Sequence, residues 1–283
     1  MTNTNEQTDR SAPRQSGRLP VWIGVGRASA GAIIFSLPMM MTMEMWWIGF
    51  HIEPFRLIAL ILLSLPLYVG ISSMIGFREE KHLWDNIIDV LVAYALAFCA
   101  SALVLLAFRV ITSETAPDEV FSMILLQAVP GSLGALLARS QLSTGQKDQD
   151  SQEEKYTGEL IILITGALFL AFNVAPTEEM VLISYLMTPW HSIALVIFTV
   201  LVMHMFTVGS ESLAKSGSGA WSAHRRLFIR FTAIGYVLAF AVSVFMLWVF
   251  GRSENDSLQH FISTAVVLSF PAGVGAAASR LII

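Results

Sequence analysis

The sequence predicts an all-α membrane protein with eight transmembrane helices, arranged as two tandem four-helix repeats in parallel orientation. Three observations lead there: a charge-poor composition, basic residues gathered on one side of the spans, and blocks of sequence that occur twice in the same order. Apolar residues fill 55% of the 283 positions and charged residues 13%, against about 25% charged in soluble domains. Stretches near the twenty residues that cross a bilayer core fall at 28–48, 57–76, 87–111, 120–138, 160–182, 192–209, 231–250 and 261–279.

Ahead of the first span, residues 1–20 are polar, carry three arginines and lack an apolar run, which predicts a disordered cytoplasmic tail and not a signal peptide. The first repeat then covers 21–140. Residues 141–157, rich in Gln, Asp, Glu and Lys, form a cytoplasmic linker, and the second repeat covers 158–283. Arg10, Arg14, Arg18, Arg27, Arg78, Lys81, Arg139, Lys147, Lys155, Lys215, Arg225, Arg226, Arg230 and Arg280 lie on one side of these spans; only Arg56, Arg109 and Arg252 lie on the other. Basic residues collect on cytoplasmic segments, so an even number of spans and two cytoplasmic termini are expected.

The repeat itself is read block by block. Gly31-Ala32 and Thr42-x-Glu44-Met45 return as Gly166-Ala167 and Thr177-x-Glu179-Met180, 135 residues later without a gap. Pro54 and Ile58-Ala59-Leu60 return as Pro189 and Ile193-Ala194-Leu195 at the same displacement. Tyr94 and Ser101 return as Tyr236 and Ser243 after 142 residues, and Pro130, Gly134-Ala135 and Arg139 as Pro271, Gly275-Ala276 and Arg280 after 141. The changes of displacement fall in loops, where length changes are tolerated. Four spans per copy return the chain to its starting side, so the copies point the same way, related by a pseudo-twofold axis along the membrane normal. Gly131 with Ala135, Gly134 with Ala138, Ala272 with Ala276 and Gly275 with Ser279 have the spacing that lets membrane helices approach closely.

Each copy repeats an acid inside an apolar segment, where acids are expensive and often functional. Glu44 and Glu179 fall in the last turn of the first and fifth spans, where a carboxylate opposes the helix macrodipole. Pro38 and Pro176 interrupt those spans, with Asn173 at the position of Pro38. Broken helices at corresponding places in two repeats point to a transport site, and Glu44, Glu179, Thr42, Thr177 and Asn173 suit a small cation or proton. Residues two apart on a helix point about 200° from each other, so Thr and Glu share a ligand only across a break. The competing reading has the acids reaching outer headgroups and the threonines bonding back to their own helix.

Other polar groups have blander readings. Asp85 and Asp89 open the third span, and Arg226 and Arg230 open the seventh; the pairs form an inter-repeat ion-pair clamp, or Asp85 caps its helix and the arginines follow the positive-inside rule. Met39, Met40, Met41, Met43 and Met45 resemble a soft-metal run, but only Met45 is duplicated and packing explains the rest. His204 is satisfied by a neighbouring helix in the simplest reading, and Gln127 by an interhelical bond.

The exclusions are firmer. Basic residues are too few and too dispersed for a nucleic-acid surface. The single cysteine, Cys99, makes neither a disulfide nor a metal site. Gly24-x-Gly26 has no preceding strand, and no nucleophile, metal or cofactor constellation is legible, so no enzyme activity, cofactor or metal is expected.

Ser36-Leu37-Pro38-Met39-Met40-Met41-Thr42-Met43-Glu44-Met45-Trp46-Trp47 resembles a bacterial family of predicted multi-pass integral membrane proteins of unknown function, and the resemblance extends over most of the chain from Val21. It implies a multi-pass membrane protein and brings no catalytic residues. The leading functional expectation is a transporter or channel for a cation or small solute. A non-transporting scaffold or regulatory subunit comes second, and a membrane-embedded hydrolase third. The bilayer is the expected partner; the sequence leaves homo-oligomerisation open.

Overall fold

The computed structural model describes residues 21–75, 82–140, 152–214, 228–252 and 257–282. All regular structure in them is helical: α1 (Val21–Met40), α2 (Met43–His51), α3 (Pro54–Ile75), α4 (Leu83–Ala107), α5 (Pro117–Ser140), α6 (Gln152–Val174), α7 (Glu179–Leu186) and α8 (Pro189–Ala214). They are followed by α9, a π-helical turn Phe228–Ala233 that runs directly into Ile234–Val249, and by α10 (Leu258–Ile282). Among the described residues, eight of these helices are long and apolar enough to cross a membrane; α2 and α7 are the short exceptions. The expected tail at 1–20 lies outside the described residues. The expected linker at 141–157 is described only from Gln152, where α6 has already begun.

Local sequence accounts for the boundaries. Proline stands first in α3, α5 and α8, a position where its missing N–H is no loss and its fixed φ suits the helix. At the end of α4 the chain turns left-handed at Arg109 (φ 57°), and at the end of α9 at Gly251 (φ 72°). The N–H groups of Arg109 and Val110 donate to the carbonyls of Leu106 and Leu105, and those of Gly251 and Arg252 to Trp248 and Leu247. Both are Schellman closures, which satisfy the last carbonyls of a helix.

The first and fifth spans are each interrupted, as their prolines suggest, but the first break lies beyond Pro38. α1 stops at Met40 and α2 starts at Met43, while α6 stops at Val174 and α7 starts at Glu179. Pro176 explains the second break, since it offers no N–H and disfavours helical geometry at Ala175. Pro38 does not end α1, which runs past it for two residues before opening at Met41 and Thr42.

α5 and α10 are the central helices, with 72% and 61% of their apolar windows buried. α1 lies along α5 and α6 along α10 as the closest pairs. Gly31 meets Gly134 and Gly166 meets Gly275, and in both crossings a Cβ added to either glycine would strike the facing carbonyl oxygen. Small residues here permit backbone contact that lipid-soluble side chains would block. The two halves join where α3 lies against α6 and α9, with a lesser contact of α1 on α6. In that seam Ile161 fills the space over Gly70, and Met74 the space over Gly158. α8 makes no comparable contact with α1 or α4 among the described residues, and only 17% of its window is buried against 33% for α3. The expected twofold relation between halves is therefore not reproduced at the seam.

Candidate functional site

The helix breaks and the loops that follow α4 and α9 lie near one another at one end of the bundle. Arg252, beyond α9, reaches the break between α6 and α7, where its Nη2 donates to the Pro176 carbonyl at 2.5 Å and its Nη1 lies 3.8 Å from Glu178 Oε1. Arg56, in the first turn of α3, donates from Nη1 to the Trp248 carbonyl at 2.9 Å and sits over the Trp248 ring. Glu53 accepts from Arg56 Nε at 3.2 Å. A cation at the C-terminal carbonyls of α9 is favourable to the macrodipole, and Arg56 is buried there.

Glu44 and Glu179 begin helices; they do not end them. Glu44 is the second residue of α2 and Glu179 the first of α7. The expected conflict with the macrodipole is thereby reversed, because a carboxylate in a first turn is stabilised by the unpaired N–H groups there. Glu44 is half-buried and Glu179 exposed, while the methionine that follows each, Met45 and Met180, is buried in the core.

Thr42 Oγ1 donates to the Met39 carbonyl and Thr177 Oγ1 to the Val174 carbonyl, each at 2.8 Å. The backbone N–H of each threonine donates to the same carbonyl. Trp46 Nε1 donates to the Met40 carbonyl at 2.7 Å, and Asn173 Nδ2 to the Phe169 carbonyl at 2.8 Å. The Met39, Met40, Phe169 and Val174 carbonyls thus each already accept a side-chain hydrogen bond. The two carboxylates, the lone pairs of the threonine hydroxyls and the side-chain oxygen of Asn173 are further acceptors for a ligand.

The other expected residues lie elsewhere in the chain. Asp85 sits inside the first turn of α4, whose N-cap is His82, so it is not the capping residue. Asp89 lies one turn further on. Arg226 is outside the described residues and Arg230 falls in the π-helical turn of α9; among the described residues α4 shares no extensive contact with α9. His204 Nδ1 lies 3.1 Å from Thr232 Oγ1 on α9, a neighbouring-helix partner for the half-buried imidazole. Met39, Met40 and Met45 are buried, Met41 and Met43 exposed, so the methionine run divides between core and surface.

A second polar cluster was not anticipated. Ser184 of α7 faces Thr264 and His260 of α10, with Oγ to Oγ1 at 2.9 Å and Oγ to Nε2 at 3.2 Å. The His260 ring stacks on Tyr185 at 3.6 Å, and the groove beside them has a volume of about 380 Å³, with Ser257, Gln259 and Ser263 also on its wall. Ser184 Oγ donates to its own Val181 carbonyl at 2.7 Å, so its proton is committed and the serine is not presented to histidine as a nucleophile would be. The cluster can bind a small polar solute or lock α7 to α10. Its sequence signal is His260 and Thr264 one turn apart in the first two turns of α10. Among the described residues, no group of three His, Cys, Asp or Glu side chains has the arrangement a metal ion needs.

Eight long apolar helices, two interrupted spans and a charge-poor interior define a multi-pass helical integral membrane protein. The family model described as "Putative integral membrane protein (DUF2391)" matches residues 24–283, and the chain belongs to that family. No curated protein and no solved structure matches it.

Proposed function

We propose that the protein moves a cation or a small polar solute across the bacterial inner membrane, with both termini in the cytoplasm and the break end facing outward. The chain is read as two four-helix copies in the same orientation, α1–α5 and α6–α10, each with one interrupted span. One observation carries the reading: at the same place in each copy a carboxylate enters the first turn of a short helix directly after a break. Discontinuous helices of this kind supply ion and solute sites in transporters because their ends present partial charges inside the membrane. The matched hydrogen bonds support the two-copy reading. The Glu53 carbonyl accepts the backbone N–H groups of Arg56 and Leu57 just as the Thr188 carbonyl accepts those of His191 and Ser192, and the threonine back-bonds and Schellman closures correspond position for position.

The reading is tested by flux in proteoliposomes. Wild-type protein is expected to conduct a small cation or solute, and Glu44→Gln with Glu179→Gln to abolish that flux while leaving the folded yield unchanged. Unchanged flux with both acids removed would sink the site.

A scaffold role is the second reading. The observation that favours it is the satisfaction of the break carbonyls by Thr42, Thr177, Trp46 and Arg252. A stoichiometric partner recovered from membranes, with no flux for any small cation tested, would select it.

A further inference from the structure

We propose that a second copy of this chain docks on the open face of α8 through its own α1 and α4, repeating between molecules the seam that joins α3 to α6 and α9 within one. The inference rests on the two-copy reading above, under which α8 is the counterpart of α3, α1 of α6, and α4 of α9. Inside the chain the α3 face is covered; the α8 face is not.

The seam residues and their counterparts carry the argument. Within the chain, Gly70 on α3 receives Ile161 of α6, whose Cδ1 lies 2.7 Å from where a Gly70 Cβ would stand. The counterparts are Met205 on α8 and Gly26 on α1. Large and small have exchanged sides. One turn further along α3, Met74 reaches into Gly158 of α6, its Cε 2.8 Å from a notional Cβ. The counterparts are Gly209 and Ile23, and here too large and small have exchanged sides. Combined volume is thus kept at both contacts, which is what a packed membrane interface requires, because close fit and not hydrophobicity drives helix association in lipid. Met205 is 74% exposed, and a Cβ on Gly26 would meet nothing within 4 Å, so both partners of the first contact are free.

The other end of the seam agrees. Phe55 meets Trp248 edge to face, and Arg56 donates to the Trp248 carbonyl. The counterparts on α8 are Trp190 and His191, again an aromatic followed by an N–H donor, and the counterpart of Trp248 is Leu106 near the end of α4. Trp190 and Leu106 are both exposed. A contact between two different faces closes only as a ring. The smallest ring that uses both open faces of every copy is a dimer.

The test uses the full chain in lipid nanodiscs with Cys99→Ala, which removes the only cysteine. Gly26→Cys and Met205→Cys are placed on separately tagged, co-expressed chains and oxidised. A mixed-tag disulfide dimer is expected. Gly70→Cys with Ile161→Cys in one chain is the internal control, and its thiols are expected to disappear without a change of mass. Gly26→Ile is expected to weaken the dimer about tenfold or more by overpacking. Adding Met205→Gly, which recreates the Gly70–Ile161 pair, is expected to restore it. A closed control with no mixed-tag dimer and a monomer mass overturns the dimer and leaves the two-copy reading intact. Failure of the control overturns the seam and the dimer with it.

Discussion

Two left-handed residues show how single positions set stability. Arg109 and Gly251 close α4 and α9 with the same hydrogen bonds, but only Gly251 adopts positive φ without steric penalty. Arg109→Gly is therefore expected to stabilise the protein by about 1 kcal/mol, the scale of the left-handed penalty for a residue with a Cβ. Gly251→Ala is expected to destabilise it, since the added methyl meets the strained φ and also lies 3.2 Å from Arg56 Nη1. Thermal unfolding followed by tryptophan fluorescence in detergent measures both, and shifts of equal sign would contradict the account. Arg56→Ala leaves the Trp248 carbonyl without its charged donor; a loss of about 1.5–3 kcal/mol is expected by the same measurement. The glycine crossings were legible in the sequence, because small residues four apart have one common use in membranes. The Arg56 bridge was not. Its partner is a backbone carbonyl far along the chain, and a carbonyl leaves no mark on residue identity.

At the scale of elements, what hydropathy conceals is continuity. Residues 28–48 form one apolar stretch around Thr42 and Glu44, and Pro38 signals an interruption without fixing its place, so Glu44 reads as the end of a span when it begins a helix. The sign of the dipole at Glu44 and Glu179 followed from that single error. Duplication marks Thr-x-Glu-Met but not Ser184, His260 and Thr264, whose counterparts are Gly49, Glu119 and Met123. In the first half Gly49 packs against Met123, so the α2–α5 contact is apolar where the α7–α10 contact is hydrogen-bonded. The two breaks are also held by different donors, Trp46 in one and Arg252 in the other. Each is expected to loosen separately. Arg252→Ala should speed amide hydrogen exchange at 177–182 and leave 42–48 unchanged, and Trp46→Phe should do the reverse. Joint acceleration by either variant would mean that the breaks move as one unit and that the local donors do not hold them.

For the whole molecule, charge, span count and orientation are linked. Eight spans return the chain to its starting side, and the basic residues outside the spans lie overwhelmingly on the side of the termini. If basic segments stay in the cytoplasm, the break end with Glu178, Arg252 and the Ser184–His260 groove faces outward, and any solute bound there arrives from outside. The asymmetry of α3 and α8 does not alter this, since it concerns which helix is covered and not which way either runs. Impermeant maleimide applied to spheroplasts of the Cys99→Ala background decides the matter. Thr8→Cys and Ile283→Cys are expected to stay unlabelled until the membrane is opened, while Glu114→Cys, on the exposed loop after α4, is labelled at once. Labelling of the termini with protection of position 114 would invert the molecule and turn the proposed entrance into an exit. Labelling of one terminus alone would require an odd number of spans, and two copies pointing the same way could not then be drawn through this chain.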